Sequence, residues 1–211
     1  MAEEIRYYLY VLFTLFVIVD PLAAIPLFIN YTHGEPLAEQ RRTARITALA
    51  VGSILVFSIF LGEPLLKFFG ISISSFRVGA GICILLMAIS MLNARLGPAR
   101  ATREEAAEAE EKDSVAVVPL AIPVLAGPGA ISSMILYTHN IEQWWEYGAL
   151  IAISLLIAAS VMVLLYLAEP IARRIGRTGI NIATRLLGLI LVAVAVEFMA
   201  SGLRTLFPAL Q

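Results

Sequence analysis

Six apolar stretches, each roughly as long as a bilayer crossing, constrain this chain more than any other feature. They run from Ile5 to Tyr31, Thr43 to Leu61, Ile71 to Asn93, Ala116 to Thr138, Tyr147 to Ala168 and Ile180 to Phe207. A spanning helix needs about 20 mostly apolar residues, and all six qualify. Composition points the same way. With 60% apolar residues, 15% charged residues and a mean hydropathy of +0.87, the chain is more hydrophobic than one soluble core of this length would use. The sequence therefore predicts an all-α polytopic membrane protein with six transmembrane helices.

Other classes fall away. The net charge is -1, and no basic run is interleaved with aromatics as a nucleic-acid surface requires. A single cysteine, Cys83, excludes an intramolecular disulfide and a paired-cysteine redox or zinc site. No cofactor and no metal are expected. The opening MAEEIR is acidic where a signal peptide is basic, and Asp20 falls where a cleavage site would lie, so the first segment is expected to be retained.

Orientation follows from charge. If the six segments alternate, one side receives Arg6, Lys67 and Arg204. The other receives Arg41, Arg42, Arg45, Arg95, Arg100, Arg103, Lys112, Arg173, Arg174, Arg177 and Arg185. Basic residues gather on the cytoplasmic side, which predicts a plasma (inner) membrane protein with both termini extracytoplasmic. The polar stretch 95–115 then reads as a charged cytoplasmic linker.

The chain also repeats itself at an offset of about 106 residues. "AAIPLFINYTHG" at 23–34 lies over "GAISSMILYTHN" at 129–140, and Glu63-Pro64 lies over Glu169-Pro170. After a three-residue insertion, "GISISSFRVG" at 70–79 lies over "GINIATRLLG" at 179–188. Each unit carries three spans, an odd number, so the second copy enters the membrane from the opposite side. The expected organisation is a first three-helix repeat (1–94), the linker (95–115) and a second, inverted three-helix repeat (116–211), an architecture common among secondary transporters.

Two segments carry helix breakers at matched places. Proline at the first helical position loses nothing, and Asp or Gly before it can cap. Asp20-Pro21 and Gly127-Pro128 therefore predict broken helices 1 and 4, each restarting as a half-helix whose amino end faces the bilayer midplane. A packing kink would explain one such break; two at matched positions call for a use, because opened backbone in hydrocarbon costs several kcal/mol per unsatisfied group. Half-helix amino ends favour anions. The expected site is Val19, Asp20, Pro21, Leu22, Ala23 and Ala24 on one side and Gly127, Pro128, Gly129, Ala130 and Ile131 on the other. An amino acid's carboxylate would sit on the amides of Gly129 to Ile131, and its ammonium on opened carbonyls near Val19 and Asp20. The small residues Ala23, Ala24, Gly129 and Ala130 suit glycine, alanine or serine.

Ionisable groups at depth point to function by default. Asp20 and Glu197 are the candidates for carrying a coupling proton or sodium ion, whereas Arg77 reads as a counter-charge or a snorkelling residue. His33 and His139 match in the repeat and fall on opposite sides, which excludes a shared metal site. Asn30, Thr32, Ser132 and Ser133 are candidates for lining the path.

"DPLAAIPLFI" in the first half, "PLAIPVLAGPGAISSMI" at 119–135 and six spans in this length resemble the MarC family of bacterial and archaeal membrane proteins, which includes the SnatA small neutral amino acid transporters. The resemblance covers essentially the whole chain and implies transport of glycine, alanine and similar amino acids coupled to an ion gradient. Where family members carry "NPIGNIP", this chain has Asp20-Pro21 and Ala23-Ala24, a difference that bears on ion preference. The alternatives are an ion or small-solute channel and, further off, an intramembrane enzyme; the latter would need Ser132 or Ser133 beside a histidine at matching depth. Membrane lipid and a small neutral amino acid are thus the expected partners, with no nucleic acid. Oligomeric state is not legible.

Overall fold

A computed structural model describes residues 2–93 and 116–207; the linker expected at 95–115 lies outside the described residues. Among the described residues the chain is wholly helical: α1 Ala2–Val19, α2 Pro21–Tyr31, α3 Leu37–Phe68, α4 Ile73–Leu92, α5 Ala116–Leu125, α6 Pro128–His139, α7 Trp144–Tyr166 and α8 Ala168–Leu206. Local sequence explains several boundaries. Glu3 and Glu4 sit in the first turn of α1, where the helix dipole favours acid. The Ser72 hydroxyl accepts the Ser75 N–H at 3.1 Å and caps α4. At the start of α7, Gln143 and Glu146 form a reciprocal capping box, with Glu146 Oε1 accepting the Gln143 N–H at 2.9 Å.

Among the described residues five stretches are long and apolar enough to cross a membrane: Glu3–Tyr31, Leu37–Phe68, Ile73–Leu92, Trp144–Tyr166 and Thr178–Leu206. The sequence reading expects a sixth between Ala116 and Thr138. That stretch is instead divided into α5, of 10 residues, and α6, of 12, and neither piece alone has the length of a crossing. The physical reason lies in its backbone. α5 is wound with the wide hydrogen bonding of a π-helix, Gly127 is extended, and Pro128 has no N–H to continue the ladder.

α3 and α7 run antiparallel against each other. The Arg45 Nε donates to the Tyr166 hydroxyl, Gly52 lies against Ala158, and the Phe60 ring stacks on Tyr147 with centroids 6.3 Å apart. Gly52 permits that approach, since a Cβ there would stand 3.0 Å from the Ala158 Cβ. α8 bends at Gly176 (φ 69°) before its apolar part packs along α4, where Arg77 donates to the Ser201 hydroxyl at 2.8 Å. Val17, Ile18, Val19, Leu55, Ile84, Ala130 and Met134 are among the buried side chains of the core, whereas Leu49, Phe57, Leu156 and Leu189 are exposed around the outside, as lipid-facing residues are.

Candidate functional site

The first break is a single residue. Asp20 adopts the left-handed conformation (φ 47°, ψ 63°), alone among non-glycine residues in the described part of the chain. Its N–H still closes the last turn of α1 on the Phe16 carbonyl at 2.9 Å. The ladder then fails, because Pro21 has no N–H to offer the Val17 carbonyl. The Ala23 N–H turns to Asp20 itself, bonding the backbone carbonyl at 3.1 Å and the side-chain Oδ1 at 3.3 Å, and so leaves the Val19 carbonyl without its helical donor. An aspartate tolerates this geometry because its short side chain bonds locally.

The second break is wider. Ala126 bonds back five residues to the Ala121 carbonyl at 2.8 Å and ends α5; Gly127 is extended; Pro128 begins α6. One expectation changes here. The amides of Gly129 to Ile131 were expected to be open, yet the Ala130 and Ile131 N–H groups bond the Gly127 carbonyl at 3.0 and 3.2 Å. A tight first turn around Gly127 satisfies them, so the Gly129 amide is the one of the three left at the front.

The two breaks are neighbours. A Cβ built on Gly129 would lie 3.5 Å from Ile18, two residues before Asp20, with Ile84 at the same distance and the Met87 sulfur at 2.6 Å. Val19, Asp20, Ala24 and Ala130 are fully shielded and Pro21, Ala23 and Gly129 are buried, while Leu22 and Ile131 are partly covered and Pro128 is exposed. The first interruption is thus held inside the protein, and the second is buried at Ala126, Gly127 and Gly129 while Pro128 lies on the exposed side. Sequence reasoning missed Ile84 and Met87 of α4, which wall in Gly129; nothing in a single sequence tells which face of an apolar helix meets a break.

Two cavities flank this buried centre. The first, of about 270 Å³, is lined by Thr32 and His33 together with Leu165, Tyr166, Glu169 and Pro170. The second, of about 330 Å³, is lined by Thr138 together with Ile59, Phe60, Glu63 and Pro64. Thr32 and Thr138 stand 106 residues apart, and so do Ile59 and Leu165, Phe60 and Tyr166, Glu63 and Glu169, and Pro64 and Pro170. The cavities open at opposite ends of α3, by Leu37 and Gln40 at one end and by Lys67 at the other. From residue 40 to residue 63 that helix rises roughly 35 Å. The half-helices even close alike, since the Thr32 and Thr138 hydroxyls donate to the Phe28 and Met134 carbonyls, each at 2.8 Å.

Of the other sequence candidates, Glu197 is exposed on α8, beside Phe198, which turns inward to meet the Tyr137 ring. No ion pair joins Glu197 to another described residue. The structure therefore does not bring it to the breaks, whereas Asp20 forms one of them. Ser132 donates to the Pro128 carbonyl at 2.7 Å, Ser133 is buried without a hydrogen-bond partner among the described residues, and Asn30 is exposed.

Comparison with known proteins identifies the family. A family model described as MarC family integral membrane protein matches residues 5–207. The chain is 40% identical to the UPF0056 membrane protein YhcE of Escherichia coli, over 93% of this chain and 91% of that protein. It is 37% identical to the UPF0056 membrane protein MJ1677 of Methanocaldococcus jannaschii, over 95% and 98%, and 34% identical to the UPF0056 membrane protein YvbG of Bacillus subtilis, over 95% and 96%. No solved structure matches it. With its apolar helices and its match over nearly the whole length, this chain is an integral, multi-pass membrane protein and belongs to the MarC family.

Proposed function

We propose that this protein is a secondary transporter of small neutral amino acids such as glycine, alanine and serine. Its six membrane segments form two inverted three-helix units, and the substrate binds midway between the breaks at Asp20-Pro21 and Gly127-Pro128. Alternating access exposes that site to one side and then the other. The observation that carries the reading is the pair of neighbouring helix interruptions, buried at the centre and flanked by a cavity toward each end. The substrate carboxylate takes the amino end of α6 at Gly129, and the ammonium takes the Val19 carbonyl and the Asp20 side chain. Asp20 is the group through which a proton or sodium ion couples. Contacts between α3 and α7 support the inverted arrangement, because residues 52 and 158, 106 apart, meet across an antiparallel pair. The distribution of Arg and Lys supports termini outside the cytoplasm in the plasma membrane.

The test is counterflow of labelled glycine and alanine in proteoliposomes, with and without a proton or sodium gradient. Saturable, stereoselective exchange is the expected result. Flux that neither saturates nor exchanges would make the protein a channel.

A further inference from the structure

Five arginines gather where the first turns of α3 meet the end of α7 and the start of α8. The segments lie side by side: Arg45 donates to the hydroxyl of Tyr166, the last residue of α7, and Leu37 and Gln40 line one cavity with Glu169 and Pro170. Arg41 lies one turn before Arg45 on the same face of α3, with Arg42 beside it. Arg173 and Arg174 follow Pro170 by about one turn. All five are exposed. Their depth follows from helix length. From Arg45 to Glu63 α3 rises roughly 27 Å, and α7 rises about as far from Tyr147 to Tyr166. A bilayer's hydrocarbon core is about 30 Å thick. Arg45 and Tyr166 therefore stand at the level of the lipid headgroups, and Arg41 stands one turn further out.

These charges are not balanced locally. Arg42 pairs with Glu39 at 3.4 Å and Arg173 with Glu169 at 3.2 Å, each on its own helix. Arg45 has the neutral Tyr166 hydroxyl, and among the described residues no ion pair holds Arg41 or Arg174. Nor does the fold call for them. The residues 106 away, at the other end of the molecule, are Tyr147, Gly148, Ile151, Lys67 and Phe68, one cation in place of five. The turns at the two ends agree, with Gly70 at φ 65° and Gly176 at φ 69°. The backbone thus recurs, while the arginines belong to one end only.

We propose that this patch binds the phosphate of an anionic phospholipid in the leaflet at that end, with Arg41, Arg45 and Arg174 as the cations left to receive it. A guanidinium takes a phosphate through two parallel N–H donors. An arginine close to an anionic bilayer surface is worth about fivefold in affinity. The occupant is a lipid because the patch borders the apolar belt: Leu49, one turn deeper than Arg45, begins the exposed apolar side of α3 that continues through Phe57 and Phe60, and acyl chains lie along it. This site requires only that the chain spans a bilayer, and it stands apart from the transport reading.

The test is thermal melting of the full chain in detergent micelles titrated with phosphatidylglycerol, with phosphatidylcholine and with soluble glycerol phosphate. A ligand that binds the folded chain raises its Tm in proportion to occupancy. Phosphatidylglycerol should raise Tm saturably and more than phosphatidylcholine does, while glycerol phosphate should leave it unchanged. Arg41→Gln with Arg174→Gln should move half-saturation by phosphatidylglycerol to a mole fraction about ten- to thirtyfold higher, and each single variant by about fivefold. The single variants carry the expectation should the double one not fold. Arg204→Gln, at the other end, should titrate like the parent. Equal stabilisation by phosphatidylcholine would mean that the apolar belt takes any lipid, and stabilisation by glycerol phosphate would mean a site for free anions. Either result would overturn the proposal. So would arginine variants that melt lower by the same amount in both lipids, because those side chains would then be acting within the chain.

Discussion

Replacing Asp20 by alanine and by asparagine separates what its backbone does from what its charge does. The residue sits at φ 47°, ψ 63°, and its Oδ1 accepts the Ala23 N–H at 3.3 Å. Alanine loses the cap, worth about 1 kcal/mol, and occupies the left-handed region without local bonding, which costs roughly 1 to 2 kcal/mol. The sum is about 2 to 3 kcal/mol. Asparagine keeps both the acceptor and the tolerance for this geometry, so its stability should stay within about 0.5 kcal/mol of the parent. Thermal unfolding in detergent, followed with a thiol-reactive dye on the partly buried Cys83, reads the difference. For a chain of this size each kcal/mol shifts Tm by about 2 to 4 °C, so Asp20→Ala should melt about 5 to 10 °C lower and Asp20→Asn almost unchanged. In the same preparations Asp20→Asn should lose the dependence of amino-acid counterflow on the ion gradient. Equal melting of the two variants would refute the capping argument, and gradient-driven uptake by Asp20→Asn would refute the coupling role.

Gly129→Leu and Pro128→Ala should weaken substrate binding at least tenfold, the first by filling the space against Met87 and Ile18 and the second by restoring a helical donor; wild-type affinity in purified Gly129→Leu protein would remove α6 from the site. Glu197 is exposed, so Glu197→Gln should keep the full pH dependence of counterflow, and a flattened profile would show that it carries the coupling proton after all. Gly52→Ala should cost about 1 kcal/mol by crowding Ala158. The double variant Gly52→Ala with Ala158→Gly moves that methyl to the facing helix and should recover to within about 0.5 kcal/mol in the same melting assay, a coupling that independent sites would not show.

The places where the helices break were legible because proline and its preceding residue act locally. Asp20-Pro21 and Gly127-Pro128 set the starts of α2 and α6 whatever surrounds them. The span Thr178–Leu206 follows as directly from hydropathy. What stayed hidden depends on contacts between distant segments. The first turn of α6 was expected to hold three open amides, and the Gly127 carbonyl takes two of them, a detail set by how tightly that turn winds. Glu197 was expected at membrane depth because it lies within an apolar run, and the sequence did not tell that it faces outward. Which side of α8 faces the core is decided by packing on α4 and by Phe198 turning to Tyr137, and a helix apolar all round gives no periodicity from which to read it.

The two breaks are unequal, and in the proposed inverted-repeat transporter that inequality is where direction would enter. The first is closed in one residue by an aspartate that bonds its own half-helix, so it carries a carboxyl group on a short turn. The second spreads over Ala126 and Gly127 behind a π-wound stretch, carries no charge of its own, and leaves an amide end at Gly129. A zwitterion placed between them has one favourable orientation, ammonium toward Asp20 and carboxylate toward Gly129, since the reverse sets carboxylate against carboxylate. A cation arriving with the substrate would be drawn to the Asp20 side and would compete there with the ammonium or relieve its charge. In the proposed transporter, coupling would reside in a difference between residues 20 and 127 that a perfect duplication would erase.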